Sequence, residues 1–339
     1  MSAVDVIAVV GACAPERLRY ARRLAAATRR ELIPSSRLAG SPDPALEAAA
    51  LASWSESPTG VVVEFPIEAP TTEIIGALVQ DDARARLRAV VCVLDAAHLL
   101  DDLGRDDTVA YRRAPGGLPV DFLARAQLTV LQIEYASAVV MVNWGSLSTD
   151  TLSTVMALVN HLSPKARLRL QHSTVDIAEA VEPYSSSQER AGWVCVLNGE
   201  FDPHMTSPRV SALRYEQLRP FHPARLKHLL DERIEPGEFG RLVRSAGFSR
   251  LATRPHVVAQ WEHVASMFSL SPLVGDDDDE LASLGQELAL IGLDLDHDGI
   301  TAAFDAAALT DDELAAGPSA WRGFADPFPR WHMVADPTE

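Results

Sequence analysis

The stretch that decides the fold is Val4 to Leu24, VDVIAVVGACAPERLRYARRL. Val4 to Val10 is an apolar, β-branched run and reads as a buried strand. Gly11 opens a turn, and Leu18 and Leu24 lie on the helix that follows. Strand, glycine turn and helix is the arrangement in which an α/β domain aims backbone N–H groups at a phosphate. A working phosphate loop reads G-x-x-x-x-G-K-[ST]. Counted from Gly11, its last three positions are Glu16, Arg17 and Leu18. The second glycine, the lysine and the magnesium-binding hydroxyl are all absent. The loop has the position for phosphate without the chemistry.

Working outward, further candidate strands follow at Gly60–Phe65, Arg88–Asp95, Ala138–Asn143 and Ala166–Gln171. Helical patterns lie between them at Pro44–Trp54, Thr72–Leu87, Leu118–Ala136 and Thr149–Leu162. In the third of these, Phe122, Leu123, Ala126 and Val130 share a face. Near-continuous apolar strands alternating with helices predict an α/β fold, a parallel sheet covered on both faces. Val4–Val10 is expected as its central strand. Glu182 to Arg190 is polar and aperiodic and reads as a linker. Beyond it, strands are expected at Gly192–Leu197, Val210–Leu218, Gly240–Arg244, Phe248–Thr253, Val257–Met267 and Glu287–Leu295. Helices are expected at Pro223–Glu232 and Asp298–Ala308. That order predicts a second, α+β domain with an antiparallel sheet. The expected division is 1–180 and 190–335.

The chain has 339 residues, 47 Asp and Glu, 30 Lys and Arg, and a net charge of −17. Such a charge is repelled by phosphate backbones and by anionic lipid, which argues against direct DNA binding and leaves room for a basic protein partner. The three cysteines, Cys13, Cys92 and Cys195, are isolated, so neither a disulfide framework nor a cysteine zinc knuckle is expected. No basic segment precedes an apolar run at the N-terminus, and no run reaches the roughly 18 to 20 apolar residues of a membrane span. A cytoplasmic protein without a membrane contact is the expectation. Asp276 to Glu280, DDDDE, reads as a solvated hairpin loop, because calcium loops alternate their carboxylates. Asp294 to Gly299, DLDHDG, does alternate but lacks the later glutamate. It reads as a strand end followed by an aspartate N-cap.

A guanine nucleotide site needs two more parts. The base is read by N-K-x-D, whose aspartate accepts from the guanine ring. The matching strand end is Val139 to Ser146, VVMVNWGS, with Asn143 in place, Trp144 for the lysine and Ser146 for the aspartate. A serine cannot form that charged, bidentate contact. The switch strand Val61–Ile67, VVVEFPI, has Ile67 where a glycine N–H would meet a γ-phosphate, and Pro66 removes another donor. Glu64 lies at the strand's carboxyl end, where α/β sheets bind ligands. Gly11, Arg17, Glu64, Asp95 and Asn143 are therefore the remnant positions of a nucleotide site. No cofactor is expected.

VCVLDA at 91–96, QIEYA at 132–136 before VVMVN at 139–143, and LSPKA at 162–166 resemble the strand ends and turns of CobW-like P-loop GTPases. RPFHPARL at 219–226 resembles the R-P-F-H-P-x-R-L that opens a helix of the CobW C-terminal domain. RSAGFSRLA at 244–252 resembles that domain's hairpin. The resemblance implies a degenerate P-loop NTPase-like domain followed by a CobW C-terminal domain, and a role in metal homeostasis. The family's C-x-C-C metal motif is absent, since no cysteine lies between Cys13 and Cys92. With the eroded nucleotide motifs, this places GTP, magnesium and zinc binding in doubt.

The tail, AAALTDDEL at 306–314 with Trp321 and DPFPRW at 326–331, resembles the branch of that family that recruits a ribosome hibernation factor. The resemblance implies an adaptor, not a catalyst, acting at the ribosome under zinc limitation. His222, Trp321, Phe328 and Trp331 are the candidate partner-binding residues. The three tail aromatics equally suit a packing clasp over the second sheet. The alternative for the whole chain is a GTP-binding, metallochaperone-like protein in which Arg17 replaces the phosphate lysine. His222, His228, His256 and His263 share one domain, but their spacing is not that of ligands on one helix face, and no metal site is assigned.

Overall fold

The computed structural model describes residues 3–79, 84–112, 120–171, 184, 190–273 and 285–331. The expected linker at 182–190, apart from Tyr184 and Arg190, and the DDDDE run at 276–280 lie outside these. The chain divides into two compact units, Met1–Cys195 with Phe201–Ser207, and Val196–Glu200 with Pro208–Glu339.

The first unit is built on β1 (Val4–Val10), β2 (Glu31–Ile33), β3 (Val61–Glu64), β4 (Ala85–Asp95), β7 (Ala138–Val142) and β8 (Arg167–Leu170). They form one six-stranded sheet in the order β2-β3-β1-β4-β7-β8, with every pairing parallel. β1 sits between β3 and β4, as its apolar run predicts. Consecutive residues Val6 to Val10, Val61 to Glu64 and Val90 to Asp95 are all buried. Alternate side chains of a strand point to opposite faces, so both faces of the sheet are covered. One cover is α1 (Ala14–Thr28), whose Tyr20, Ala21 and Leu24 pack on Ile7, Val9, Val91 and Val93. The other helices are α2 (Pro44–Ser53), α3 (Thr71–Leu78), the short α4 (Leu99–Asp102), α5 (Arg125–Glu134) and α6 (Thr149–Leu162).

Three expectations are corrected here. The helix expected at Thr72–Leu87 ends at Leu78, and Ala85–Leu87 already belongs to β4. Val120–Ala124, read as the start of a helix, is a strand (β6) paired antiparallel with β5 (Thr108–Arg112). The helix starts only at Arg125, whose N–H donates to the carbonyl of Asp107 and whose side chain pairs with that carboxylate at 2.7 Å. Gly192–Leu197, read as a strand, is a helix, α7. A six-residue apolar run has no period long enough to separate the two. Gly192 also lies so close to the carbonyl of His161 that a Cβ there would sit 1.8 Å from it.

The second unit is an antiparallel sheet in the order β12-β11-β10-β13-β9. Its strands are β9 (Val210–Gln217), β10 (Arg241–Ser249), β11 (Ala259–Val264), β12 (Met267–Pro272) and β13 (Gln286–Leu293). Its helices are α8 (Pro223–Leu229), which runs on through a π-type turn at Leu230–Ile234, α9 (His297–Ala307) and α10 (Asp311–Trp321). Tyr215, Phe221, Trp261 and Phe304 form its aromatic centre, with ring centroids 5.0 to 6.3 Å apart. The strands expected on either side of Gly247 are one strand. At φ +146°, Gly247 crosses against β13 where a Cβ would meet the Glu287 carbonyl at 2.0 Å. The glycine marks a close approach and not a break. The aspartate N-cap holds as read, because Asp296 accepts from the Gly299 N–H at 3.0 Å.

Candidate functional site

The carboxyl ends of β1, β3, β4 and β7 form the edge where an α/β sheet takes ligands. The loop after β1 is short. Only Gly11, Ala12 and Cys13 separate Val10 from the first helical residue, Ala14. Pro15, whose missing N–H costs nothing in a first turn, helps start α1 there. Glu16, Arg17 and Leu18 therefore lie within the helix and not on a loop that could wrap a phosphate. Gly11 has φ +146°, and a Cβ would stand 2.2 Å from the Val93 carbonyl. It is glycine because the turn presses on β4.

Arg17 points inward. Its Nε donates to Glu64 Oε1 at 2.8 Å, and its Nη1 donates to the Gly11 carbonyl. The two side chains are 4% and 1% exposed. The second carboxylate oxygen of Glu64 accepts from the Ser35 N–H at 2.7 Å. Three of the five remnant positions, Gly11, Arg17 and Glu64, thus form one buried cluster. Glu64 neutralises the cation that a phosphate would need. Separating a buried pair leaves an uncompensated charge, at a cost of about 3–5 kcal/mol. A phosphate entering here has to meet that cost and the repulsion of Glu64.

Asp95 and Asn143 form a second cluster at the same edge. Asp95 Oδ2 accepts from Asn143 Nδ2 at 2.8 Å and lies 3.0 Å from His98 Nδ1, while Oδ1 accepts from the Ala97 N–H at 3.0 Å. Burial pushes the Asp95 carboxyl up, but the hydrogen bonds from Asn143, His98 and Ala97 outweigh it and hold the group below its ordinary range. The same contact raises the exposed His98 imidazole. Sequence reading missed His98. The signal was its place three residues after Asp95, on the turn into α4. Asn143 adopts a left-handed conformation (φ 55°), which asparagine tolerates. Ser146 turns its hydroxyl to the Asn143 carbonyl at 3.2 Å, and the Trp144 indole donates to Gln171. Ser146 is thus engaged within its own turn, and Trp144 with the chain just after β8.

Cys13 precedes α1 and is half-buried. Burial first, then the charges of Asp102 and Asp95, push its thiol up to about 11. Burial and the two carboxylates therefore disfavour its thiolate, the form that binds soft metals or attacks carbon. Cys92 is buried in β4, and burial raises its thiol further. Among the described residues, no three His, Cys, Asp or Glu converge on a metal position. The residues at this edge do not fit a GTP–magnesium site.

The four partner-binding candidates lie in the second unit. His222 precedes α8. Its ring packs on Phe324 with centroids 4.5 Å apart, and its backbone N–H donates to the Ala307 carbonyl. Burial, then Arg225, lowers its imidazole below the ordinary range. Trp321 is buried against Ala252 and Leu309, with its indole donating to the Glu313 carbonyl at 2.6 Å. Phe328 is buried in the main core beside Phe268. Trp331 donates to the Leu270 carbonyl on β12 and lies under Arg254 at 4.1 Å. The tail aromatics are thus the packing clasp of this unit, and Trp321 and Phe328 offer no open surface.

Comparison with known proteins follows the same division. Residues 210–308 match the family described as cobalamin synthesis protein cobW C-terminal domain. Zinc-regulated GTPase metalloprotein activator 1 of Dictyostelium discoideum is 23% identical over 299 residues, 79% of this chain and 62% of that protein. A zinc chaperone of Mycobacterium tuberculosis is 26% identical over 272 residues, 73% of this chain and 62% of its own length. The chain thus spans less than two thirds of the curated relatives it matches. The crystal structure of Zn(II)-bound YjiA GTPase from E. coli aligns over 91% of this chain and 100% of its own, at 13% identity and a TM-score of 0.36. The second unit is a CobW C-terminal domain, carried on a chain homologous to a zinc-regulated GTPase metalloprotein activator and a zinc chaperone.

Proposed function

We propose that this chain is a CobW-type adaptor in zinc homeostasis that works without binding or hydrolysing GTP. The observation that carries the reading is the buried Arg17–Glu64 pair, in which the cation at the lysine position of the motif is already neutralised. The names of the relatives, a zinc-regulated metalloprotein activator and a zinc chaperone, support the metal context. The finer reading is that the adaptor brings a hibernation factor to the ribosome when zinc is scarce. It rests on the resemblance of the tail. Its partner is a protein, and no membrane is involved. Titration calorimetry with GTP and magnesium tests the first part, and no heat of binding is expected. Micromolar affinity would overturn it. Capture of ribosomal subunits by the tagged full chain from zinc-starved but not zinc-replete cells tests the second.

One observation favours the alternative, a GTP-binding metallochaperone-like protein. Arg17 stands at the lysine position, and guanidinium binds phosphate. In that case Arg17→Ala abolishes a nucleotide affinity that calorimetry finds in the unaltered protein.

A further inference from the structure

In nucleotide switches, a terminal phosphate holds separate loops together, and its loss releases them. The bonds that do this are a cation from the loop after the first strand and backbone N–H groups from the neighbouring segments. The first unit contains the same pattern of bonds around a carboxylate. Glu64, at the end of β3, gives one oxygen to Arg17 Nε at 2.8 Å and the other to the Ser35 N–H at 2.7 Å. Arg17 in turn donates to the Gly11 carbonyl. The turn after β1, the segment after β2 and the end of β3 therefore meet at one buried carboxylate.

We propose that Glu64 is a built-in anion that takes the place of a terminal phosphate and fixes the segment after β2 in a single, nucleotide-independent conformation. This rests on the reading that the crevice binds no GTP. A phosphate can be hydrolysed or can leave, whereas a carboxylate carried on a central strand cannot. Ser35 begins the turn Ser35–Arg37, and that segment leads into α2 through its Asp43 cap. α2 exposes Trp54 at its end, at 77%. The clamp so holds the root of a segment that a working switch would let move.

The test is amide hydrogen exchange of the full chain, followed by mass spectrometry over residues 34–43. The variant is the double substitution Arg17→Met with Glu64→Leu, which removes both charges while keeping the buried volume filled. Its folding is checked by unchanged exchange in β1 and β4. The expected result is exchange faster by about tenfold or more in 34–43 alone, the sign of local opening. Arg17→Ala is expected to show the same loosening, and added guanidinium ion to reverse it. A folded double variant whose 34–43 exchange is unchanged overturns the clamp. That failure would leave the adaptor reading standing, since calorimetry with GTP decides it separately.

Discussion

Arg17 and Arg225 each sit at the start of a helix and each pairs with one glutamate, yet the two pairs have opposite settings. Arg17 and Glu64 are 4% and 1% exposed, and they join three chain segments at the ligand edge of the parallel sheet. Arg225 and Glu313 are 34% and 24% exposed, and they join the start of α8 to the first turn of α10. Water screens the second pair and not the first. The lesson is that a buried pair is costly to separate and ties distant segments together, whereas a half-exposed one trims a fold. The carboxylate of the second pair shows the same modest role. Arg225 holds the Glu313 carboxyl down to about 2, against the partial burial that raises it.

The largest expected effect is Glu64→Leu, which leaves Arg17 charged and alone. It should cost about 3–5 kcal/mol in urea unfolding. The double substitution Arg17→Met with Glu64→Leu should recover most of that loss. If the single and double variants lose equally, the pair is not what matters. Next is a pH effect in the second unit. His263 on β11 is buried, and burial, with the charge of Arg244 second, brings its imidazole down from 6.5 to about 4. Between those values the unfolded chain binds a proton that the folded chain refuses. Stability is therefore full above pH 6.5 and declines as pH falls toward 4, by on the order of 3 kcal/mol. His263→Phe should flatten that slope. The Glu313 contribution acts in a separate window. It is present above pH 4.5 and is lost as pH falls toward 2. Arg225→Met should then cost only about 1–2 kcal/mol, because the pair is partly wet.

The sequence showed some of this and hid the rest, for physical reasons. β1, β3, β4 and β7 were legible because a strand buried on both faces is an almost unbroken apolar run, whereas β8, RLRL at the sheet edge, is only half-buried. The Asp296 cap was legible because its partner is three residues away. The absence of a phosphate loop was legible position by position. What filled the space was not, since Arg17 and Glu64 are 47 residues apart and nothing local links them. Arg17 read as a stand-in for the phosphate lysine and Glu64 as a carboxylate at the ligand edge, and the two are one contact. His98 was missed because its role depends on Asp95 also being held by Asn143 from β7. The aromatic tail left two readings open, because burial and partner binding both favour tryptophan and phenylalanine. The single strand Arg241–Ser249 was read as two, ending at Arg244 and starting at Phe248, because a glycine demanded by a neighbouring strand interrupts the apolar pattern as a turn glycine does.

The smallest expected effect tests how local the second pair is. Thr310 caps α10 through a reciprocal box. Its hydroxyl accepts from the Glu313 N–H at 3.3 Å, and its own N–H donates to Glu313 Oε2 at 2.9 Å. Thr310→Ala removes the hydroxyl half and leaves the backbone half, so Glu313 still faces Arg225. The loss should be about 0.5–1 kcal/mol, near the low end for a cap. A double-mutant cycle with Arg225→Met should give a coupling below about 0.5 kcal/mol if cap and pair act separately. A larger coupling would mean that the cap positions the carboxylate for the arginine. Glu313 would then be doing for α8 and α10 what Glu64 does for β1 and β3, and the contrast between the two pairs would narrow to burial alone.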